Sequence, residues 1–365
     1  MKLTDLPTPC LVLDREKLLR NIKTMADALA RHGVPLRPHM KTAKSIDVAR
    51  LVLSGQPESI TVSTLAEAEY FSAHGITDIL YAVGITPRKL DDIATMNAGT
   101  AKVMVITDDI DTAGIIAAHP RPPRCLIEID TGEARGGVGP EDGTLLEIAA
   151  KLGPNLAGVM THAGHSYAGR TAAEMTAIAE TERAGAVRAA ERLRQAGHAC
   201  AIVSIGSSPT AIHAVSLEGV TEVRAGVYMF GDLFQAEIGT HCLDDIAVTV
   251  LTSVIGRRPG RLLVDAGGMA LSKDRSTEAA PKDYGFGLML DLDGTPRHGD
   301  AIVRRAYQEH GLIDLDPAHP VDLPIGGLVR IAPNHTCMTA AAHDRYYVID
   351  GGDEVVAMWP RVNGW

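Results

Sequence analysis

The 365-residue sequence lacks three features that would each point to a particular class of protein. It has no cluster of lysines and arginines, and its formal charge of −10 argues against a surface for nucleic acid or anionic lipid. It has no apolar run long enough to span a bilayer and no apolar h-region near Met1. Its five cysteines are odd in number and scattered, which fits a reducing compartment better than a disulfide framework. We therefore expect a globular, cytoplasmic protein.

The first two thirds of the sequence are regularly patterned. Short apolar or β-branched runs alternate with longer amphipathic stretches, as expected for βα units around a parallel sheet. The runs predict strands at 35–41, 60–64, 78–83, 101–107, 124–130, 156–162, 201–206 and 221–229. Eight strands are what a closed (β/α)8 barrel requires, and a doubly wound open sheet is the alternative.

After about residue 232 the pattern changes to alternating strands broken by Gly, Pro and Asp. Strands are predicted at 245–256, 261–265 and 328–331, which indicates a second, mostly β domain. The early apolar run at 11–13 could pair with this domain. We predict a barrel domain over 12–234, and a β domain formed by 1–11 and 235–365.

His335 and Cys337 are two metal-binding side chain types within an apolar, strand-like run. In a strand both would point the same way, forming half of a zinc site with positions left for water or substrate. The alternative is a half-buried strand in which Cys337 is a small hydrophobe and His335 is hydrogen-bonded. The pair alone does not decide between them.

In a (β/α)8 barrel, functional side chains lie at the carboxyl ends of the strands. Lys41 ends the first predicted strand, where an amine can form a Schiff base. Lys44, three residues further on, should be solvated. Arg135 and Arg224 are cations facing the same mouth, and either could clamp a phosphate or form a structural salt bridge.

The segments after the seventh and within the eighth predicted strands resemble a phosphate cradle. Backbone N–H groups there, together with serine hydroxyls, could hold a phosphate. The candidates are Ser207, Ser208, Gly226 and Val227. Alternatively, Ser208 and Pro209 are only the N-cap and first residue of a helix. With one lysine and two arginines at the same mouth, pyridoxal phosphate is the economical ligand.

Six segments together carry a family resemblance. They are residues 8–14, 36–42, 129–131 with Arg135, 161–167, 206–210 and 333–337. Through them the sequence resembles the alanine-racemase-like, fold-type-III pyridoxal-phosphate enzymes over nearly its whole length, and within that family the metal-dependent D-serine dehydratase branch. Residues 223–228, 264–267, 272–275 and 308–311 look most similar to the D-threo-3-hydroxyaspartate dehydratases of that branch.

The resemblance implies a role for each candidate residue. Lys41 would carry the cofactor, Arg135 would contact its phenolic oxygen, and Tyr167 would line it. Ser208, Gly226 and Val227 would hold the phosphate, with Ser207 beside them. Arg224 would face the pyridine nitrogen and, because a guanidinium keeps its proton, leave that nitrogen unprotonated. Members of the family are typically homodimers.

The His335–Cys337 pair separates branches of this family. The related D-threonine and 3-hydroxyaspartate aldolases have His-x-Asp there, and a glycine-rich loop where this sequence has 206–210. Imidazole with thiolate suits Zn²⁺, whereas an oxygen ligand suits Mn²⁺ or Mg²⁺. We therefore predict Zn²⁺, with Mn²⁺ or another divalent metal as the alternative, acting as a Lewis acid on a β-hydroxyl.

These predictions define an activity and its rivals. A D-3-hydroxy amino acid, D-serine or D-threo-3-hydroxyaspartate, would undergo β-elimination with Lys41 as general base, giving an α-keto acid and ammonia. A retro-aldol lyase, a non-catalytic pyridoxal-phosphate carrier and a racemase are the alternatives. His162, His165 and His310 are interpreted as hydrogen-bonded residues and not as metal ligands. Lys273 and Arg275 could bind a substrate carboxylate or be solvated charges.

Overall fold

A computed structural model describes residues 1–365. The chain divides into two compact units, one formed by Met1–Thr24 and Val227–Arg361, the other by Met25–Gly226 and Val362–Trp365. Residues 12–24 and 227–234, assigned above to the barrel domain, thus belong to the first of these units. No helix is both long and apolar enough to cross a membrane.

The second unit contains eight parallel strands in one sheet. They are β2 (Leu36–Pro38), β3 (Ser59–Val62), β4 (Asp78–Gly84), β5 (Lys102–Thr107), β6 (Cys125–Ile129), β7 (Leu156–Thr161), β8 (Ile202–Ile205) and β9 (Glu222–Ala225). The order is β2-β9-β8-β7-β6-β5-β4-β3. A parallel bridge between His39 and Thr61 joins the two ends, where the Met40 amide donates to the Thr61 carbonyl over 2.8 Å. The sheet is therefore closed, as the (β/α)8 prediction requires.

Helices alternate with these strands. They are α1 (Arg15–Ala30), which crosses the division between the units, α2 (Ile46–Val52), α3 (Leu65–Ala73), α4 (Leu90–Ala98), α5 (Ile110–Ala118), α6 (Thr144–Leu152), α7 (Ala172–Gln195) and α8 (Ser208–His213). The long α7 begins with a capping box between Thr171 and Glu174, which satisfies two amides that a helix start leaves unpaired. Its buried stripe recurs at helical spacing, from Met175 through Ala179 to Leu193.

The first unit is built on a nine-stranded sheet. Its strands are β1 (Cys10–Asp14), β10 (Val248–Arg258), β11 (Arg261–Val264), β12 (Leu288–Leu290), β13 (Ile302–Ala306), β14 (Gly311–Asp314), β15 (Leu328–Ala332), β16 (Arg345–Ile349) and β17 (Val355–Pro360). β10 pairs with β15, β1 and β11, so that six strands form a closed ring. As predicted, the run at 11–13 pairs with the C-terminal strands β10 and β16. The helices α9 (Leu233–Glu237), α10 (Gly268–Leu271) and α11 (Thr336–Ala340) are short.

Two differences from the predicted strands lie next to candidate site residues: the eighth barrel strand is shorter than predicted, and the strand-like run at 331–338 is not a strand throughout. The eighth barrel strand ends at Ala225, because Val227–Met229 forms a turn of 3-10 helix. β15 ends at Ala332, and Pro333 has no amide hydrogen to continue the ladder. His335 and Cys337 therefore do not share a strand; His335 is the N-cap of α11 and Cys337 lies in its first turn.

Candidate active site

Lys41 lies just after the first barrel strand, at the carboxyl end, as predicted. Its side chain is exposed. The neighbouring Lys44 was expected to be solvated, which is wrong: its ammonium group lies 3.2 Å from the buried carboxylate of Glu67. Lys44 is therefore a structural ion-pair partner, and Lys41 is the lysine available for chemistry.

His162 follows β7, and the charges of three cations act on its pKa. Its Nδ1 donates to the Gly206 carbonyl over 2.9 Å, which fixes the proton on that nitrogen. Burial, and then the charges of Lys41, Arg224 and Arg135, lower the pKa of His162 to about 3, although the bond to Gly206 opposes the shift. The imidazole is thus neutral, and the charges of Lys41, Arg224 and Arg135 all favour that state.

Arg224 is buried inside the barrel, where its guanidinium is held on two sides. One amino group donates to the Ser204 hydroxyl over 2.6 Å, and the other donates to the Thr161 carbonyl. The Ser204 hydroxyl in turn donates to Glu222 over 2.6 Å. The second oxygen of Glu222 accepts from Arg37 over 2.9 Å, so a single carboxylate serves both buried arginines.

The segment after β8 is held by a buried acid. The Glu182 carboxylate, on α7, accepts the amides of Ala163 (3.0 Å) and Gly206 (2.9 Å), joining the segments that follow β7 and β8. Burial raises the pKa of Glu182. Gly206 is required here because its φ is +136° and a Cβ would lie 2.2 Å from the Arg224 carbonyl oxygen.

The predicted helix start after β8 is displaced by one residue. Ser207, not Ser208, is the N-cap of α8, and its hydroxyl accepts from the Thr210 amide and bonds to the Ser166 hydroxyl. Ser208 is the buried first residue of the helix, and Pro209 the second. Since the Ser207 hydroxyl is engaged within the protein, a phosphate here would depend mainly on Ser208 and on backbone amides.

Gly226 and Val227 follow the last barrel strand. A Cβ on Gly226 would lie 2.9 Å from the His39 carbonyl oxygen and 3.0 Å from the Thr42 hydroxyl, so only glycine fits without a shift. Val227 is buried and begins the next turn. Tyr167 lies in the 3-10 helix Gly164–Ala168, with its ring centroid 6.4 Å from that of His162.

Arg135 lies on the segment after β6 and is more than half exposed. Its guanidinium is 3.3 Å from the carboxylate of Glu133 and 3.8 Å from that of Glu128. Burial raises the pKa of Glu128, and the charge of Arg135 counters that effect. Arg135 therefore presents a partly exposed positive charge beside two acids.

In the β unit, His335 and Cys337 come together although they do not share a strand. The imidazole of His335 is hydrogen-bonded to Cys337 and, through Nδ1 at 3.4 Å, to the Asp274 carboxylate. Burial lowers the pKa of His335, but the bonds to Asp274 and Cys337 outweigh it and raise the pKa to about 11. The pair therefore brings together an imidazole nitrogen and a thiol sulfur, which are the donor atoms that zinc binds.

The start of α11 is anchored beneath this pair. The Thr336 amide donates to Asp232 over 3.1 Å, and the Thr336 hydroxyl donates to the Gly231 carbonyl over 2.6 Å. Asn334 donates to the carbonyls of Asp274 (3.1 Å) and Gly285 (2.6 Å). Both neighbours of His335 in the chain are thus fixed by buried hydrogen bonds.

The remaining candidates are Lys273, Arg275, His310 and His165. Lys273 donates to the Ala306 carbonyl over 2.6 Å, and Arg275 pairs with Asp283 at 2.9 Å, so neither is merely solvated. His310 is exposed. His165, in the other unit, has a buried Nδ1 without a partner.

A (β/α)8 barrel with a lysine after its first strand, arginines at the same mouth and a separate β unit defines an alanine-racemase-like enzyme of the pyridoxal-phosphate class. The chain belongs to this family: residues 13–233 match the alanine racemase N-terminal domain, and residues 247–349 match the putative serine dehydratase domain.

The chain is also similar to individual proteins of known activity. The chain is 43% identical to D-threo-3-hydroxyaspartate dehydratase of Delftia sp. (strain HT23), covering 100% of this chain and 99% of that protein. It is 30% identical to D-serine dehydratase of Dictyostelium discoideum (100% and 98% covered) and to 3-hydroxy-D-aspartate aldolase of Paracoccus denitrificans (98% and 92% covered). The solved structure of the Delftia dehydratase superposes with a TM-score of 0.95 over the full length of both chains, at 42% identity.

The residues present fit both groups that the family implies. For pyridoxal phosphate, the barrel offers the exposed amine of Lys41, the cations Arg135 and Arg224, and a helix start at Ser208. For a metal, the β unit offers the imidazole and thiol of His335 and Cys337 in mutual contact. No His, Cys, Asp or Glu is placed with them as a third ligand, so further positions would be left for water or substrate.

Three acids that organise these sites were missed from the sequence. Glu182 is a charged residue in the otherwise apolar stripe of α7. Glu222 lies two residues before Arg224 on the same strand and so faces the same side. These two spacings could have revealed them. Asp274 gave no such signal, because its partner His335 is far away in sequence.

Proposed function

We propose that this chain is a pyridoxal-phosphate- and zinc-dependent dehydratase that converts D-3-hydroxy amino acids, D-serine or D-threo-3-hydroxyaspartate, into an α-keto acid and ammonia. The observation that carries the proposal is the contact between His335 and Cys337. An imidazole with a thiolate suits zinc, and zinc favours departure of a β-hydroxyl. The 43% identity to a D-threo-3-hydroxyaspartate dehydratase supports the same activity.

In the barrel, Lys41 is the residue that moves a proton. Pyridoxal phosphate would supply an electron sink there. We assign to Lys41 both the attachment of the cofactor and, once released by substrate, removal of the α-proton. Arg224 keeps its own proton and therefore favours an unprotonated pyridine nitrogen beside it. Arg135, Tyr167, Ser207, Ser208, Gly226 and Val227 complete the proposed cofactor site.

In the β unit, His335 and Cys337 are the proposed metal ligands. A divalent ion there would supply Lewis acidity to the β-hydroxyl of the substrate. Two solved structures bear on this assignment: one is a histidine-to-alanine variant of D-threo-3-hydroxyaspartate dehydratase, and the other is a cysteine-to-alanine variant in the metal-free form. Zn²⁺ is our assignment, and Mn²⁺ would be favoured only if oxygen ligands dominated.

The experiment uses the purified protein loaded with pyridoxal phosphate. D-serine turnover is followed through pyruvate and ammonia, before and after chelation and after zinc is restored. We expect equal amounts of both products, loss of turnover in chelator and recovery with zinc. Lys41→Ala should abolish turnover, whereas Lys102→Ala, which removes an exposed lysine on a barrel strand, should not. Full activity in chelator, or in the Lys41 variant, would overturn the proposal.

We further propose that the enzyme works as a homodimer in a reducing compartment such as the cytoplasm. All five cysteines are free, and three of them are buried, which fits a protein that does not depend on disulfides. Light scattering of the purified protein would give the mass of the assembly. A monomer at the concentration used in the assay would contradict the dimer.

A further inference from the structure

Asp274 lies on a loop of the β unit and places one carboxylate oxygen 3.4 Å from Nδ1 of His335. We propose that Asp274 is a positioning residue, which keeps the proton of His335 on Nδ1 and so presents Nε2 to the metal. The inference rests on the metal role proposed above for His335 and Cys337. It adds a residue that acts through the imidazole, without itself binding the ion.

The loop holds Asp274 firmly in place. Its amide donates to the Ser272 hydroxyl over 3.1 Å, and its second carboxylate oxygen accepts from the Ser276 amide over 2.9 Å. Its carbonyl accepts from Asn334, the residue before His335, over 3.1 Å. The segment that carries the imidazole and the loop that carries the carboxylate are therefore tied together by a side chain that is itself buried.

The two cations beside Asp274 are engaged elsewhere. The ammonium group of Lys273 lies 5.8 Å from the Phe286 ring centroid and donates to the Ala306 carbonyl. The guanidinium of Arg275 lies 5.1 Å from the same ring. Both flanking side chains thus pack around Phe286, while the carboxylate between them is the group that reaches the imidazole.

A second acid near His335 does not compete for this role. Asp232 is buried and interacts electrostatically with His335. Its two oxygens, however, accept the amides of Gln235 at 2.8 Å and Thr336 at 3.1 Å. Asp274 is also not placed as a third ligand, because no group of three potential ligands forms with Cys337. The remaining role for its carboxylate is to orient the ring.

The contact with Asp274 should make the imidazole of His335 a stronger metal ligand with a fixed orientation. A carboxylate that accepts the Nδ1–H of an imidazole fixes the tautomer and ring orientation and makes the other nitrogen more basic. The 3.4 Å separation is longer than an ordinary N–H···O hydrogen bond, so the negative charge of the carboxylate contributes much of the attraction. Loss of such a partner typically weakens metal affinity by about 10- to 100-fold.

The test is direct measurement of zinc affinity, by competition with a chromogenic chelator, for the pyridoxal-phosphate-loaded protein. Asp274→Ala should weaken binding by about 10- to 100-fold. Asp274→Asn keeps the shape and an acceptor for the Ser276 amide, but it turns an NH2 donor towards Nδ1 in place of the accepting carboxylate oxygen. It should therefore weaken zinc binding at least as much as Asp274→Ala. Asp283→Asn is the matched control, since Asp283 also caps a backbone amide on this loop, that of Gly285 at 2.8 Å, without contacting His335.

A spectroscopic readout separates weakened binding from a collapsed site. With Co²⁺ as the probe, saturated Asp274→Asn should retain the thiolate-to-cobalt charge-transfer band, because Cys337 still ligates the ion. Zinc affinity equal to wild type in both Asp274 variants would overturn the inference. So would an equal loss in Asp283→Asn, which would indicate a general effect on the loop.

Variants of His335 and Cys337 test separately whether these residues bind the metal and whether Asp274 orients His335. If His335→Ala and Cys337→Ala bind zinc as well as wild type does, the metal site itself is refuted. If they lose zinc and the Asp274 variants do not, only the role of Asp274 is refuted.

Discussion

The neutral state of His162 makes a pH prediction that can be worked out from its surroundings. Its Nδ1–H donates to Gly206, and burial together with Lys41 and Arg224 lowers its pKa to about 3. A histidine in an unfolded chain titrates near pH 6.5. Between these values the unfolded chain binds a proton that the native protein does not, so the free energy of unfolding must fall as the pH is lowered.

The size of the effect follows from the width of that window. Each pH unit well inside it costs about 1.4 kcal/mol, so acidification from about pH 6.5 to about pH 5 should remove roughly 2 kcal/mol through this one residue. His162→Gln removes the titration but keeps an amide that can donate to Gly206. The stability of wild type relative to this variant should therefore decrease on acidification, by that amount.

The assay is denaturant unfolding of the cofactor-free protein at about pH 7 and about pH 5, followed by circular dichroism. His74→Gln is the matched control, because the exposed His74 also donates Nδ1–H to a carbonyl, that of Tyr70 at 2.8 Å. Other titrating groups are common to both proteins and cancel in the difference. Wild type and His162→Gln with the same pH dependence would refute the proposed cause.

Three further predictions concern the buried charges and the ligands. Glu222→Ala leaves Arg37 and Ser204 without their shared acceptor, and should destabilise the protein by about 3–5 kcal/mol in thermal or denaturant unfolding. Replacement of the exposed Glu58 by alanine should change the stability little. Equal effects of the two substitutions would contradict the role of the Glu222 network. Lys41→Ala should remove the visible absorbance of lysine-bound cofactor, and a retained band would show that another amine carries it. Cys337→Asp should shift metal preference from Zn²⁺ towards Mn²⁺ in competition titrations, whereas an unchanged preference would mean that the thiol is not a ligand.

The strands of the barrel could be predicted because buried parallel strands and amphipathic helices leave different periodicities in the sequence. The pattern does not record where a strand stops pairing. Val227 was assigned to a strand because a buried turn and a buried strand both favour an apolar residue at this position. Pro333 interrupts the apolar run at 331–338, and the strand ends just before it. Tertiary contacts at these two points decided the structure.

The candidate site was predictable to the extent that barrel geometry places chemistry at strand ends. That rule selected Lys41, while Lys44 was misjudged because its partner Glu67 lies on a different element. The supporting acid Asp274 could not be found, since nothing in the local sequence shows that it will meet His335. Asp274 therefore differs from Glu182 and Glu222, whose spacings on α7 and β9 could have been noticed in the sequence.

The products formed from D-threo-3-hydroxyaspartate test the proposed dehydratase activity most directly, because this substrate can undergo either β-elimination or retro-aldol cleavage. The zinc-loaded enzyme is incubated with it, and oxaloacetate, ammonia, glycine and glyoxylate are quantified together. We predict oxaloacetate and ammonia in equal amounts, with no glycine. Glycine and glyoxylate in equal amounts, without ammonia, would contradict the account and identify an aldolase.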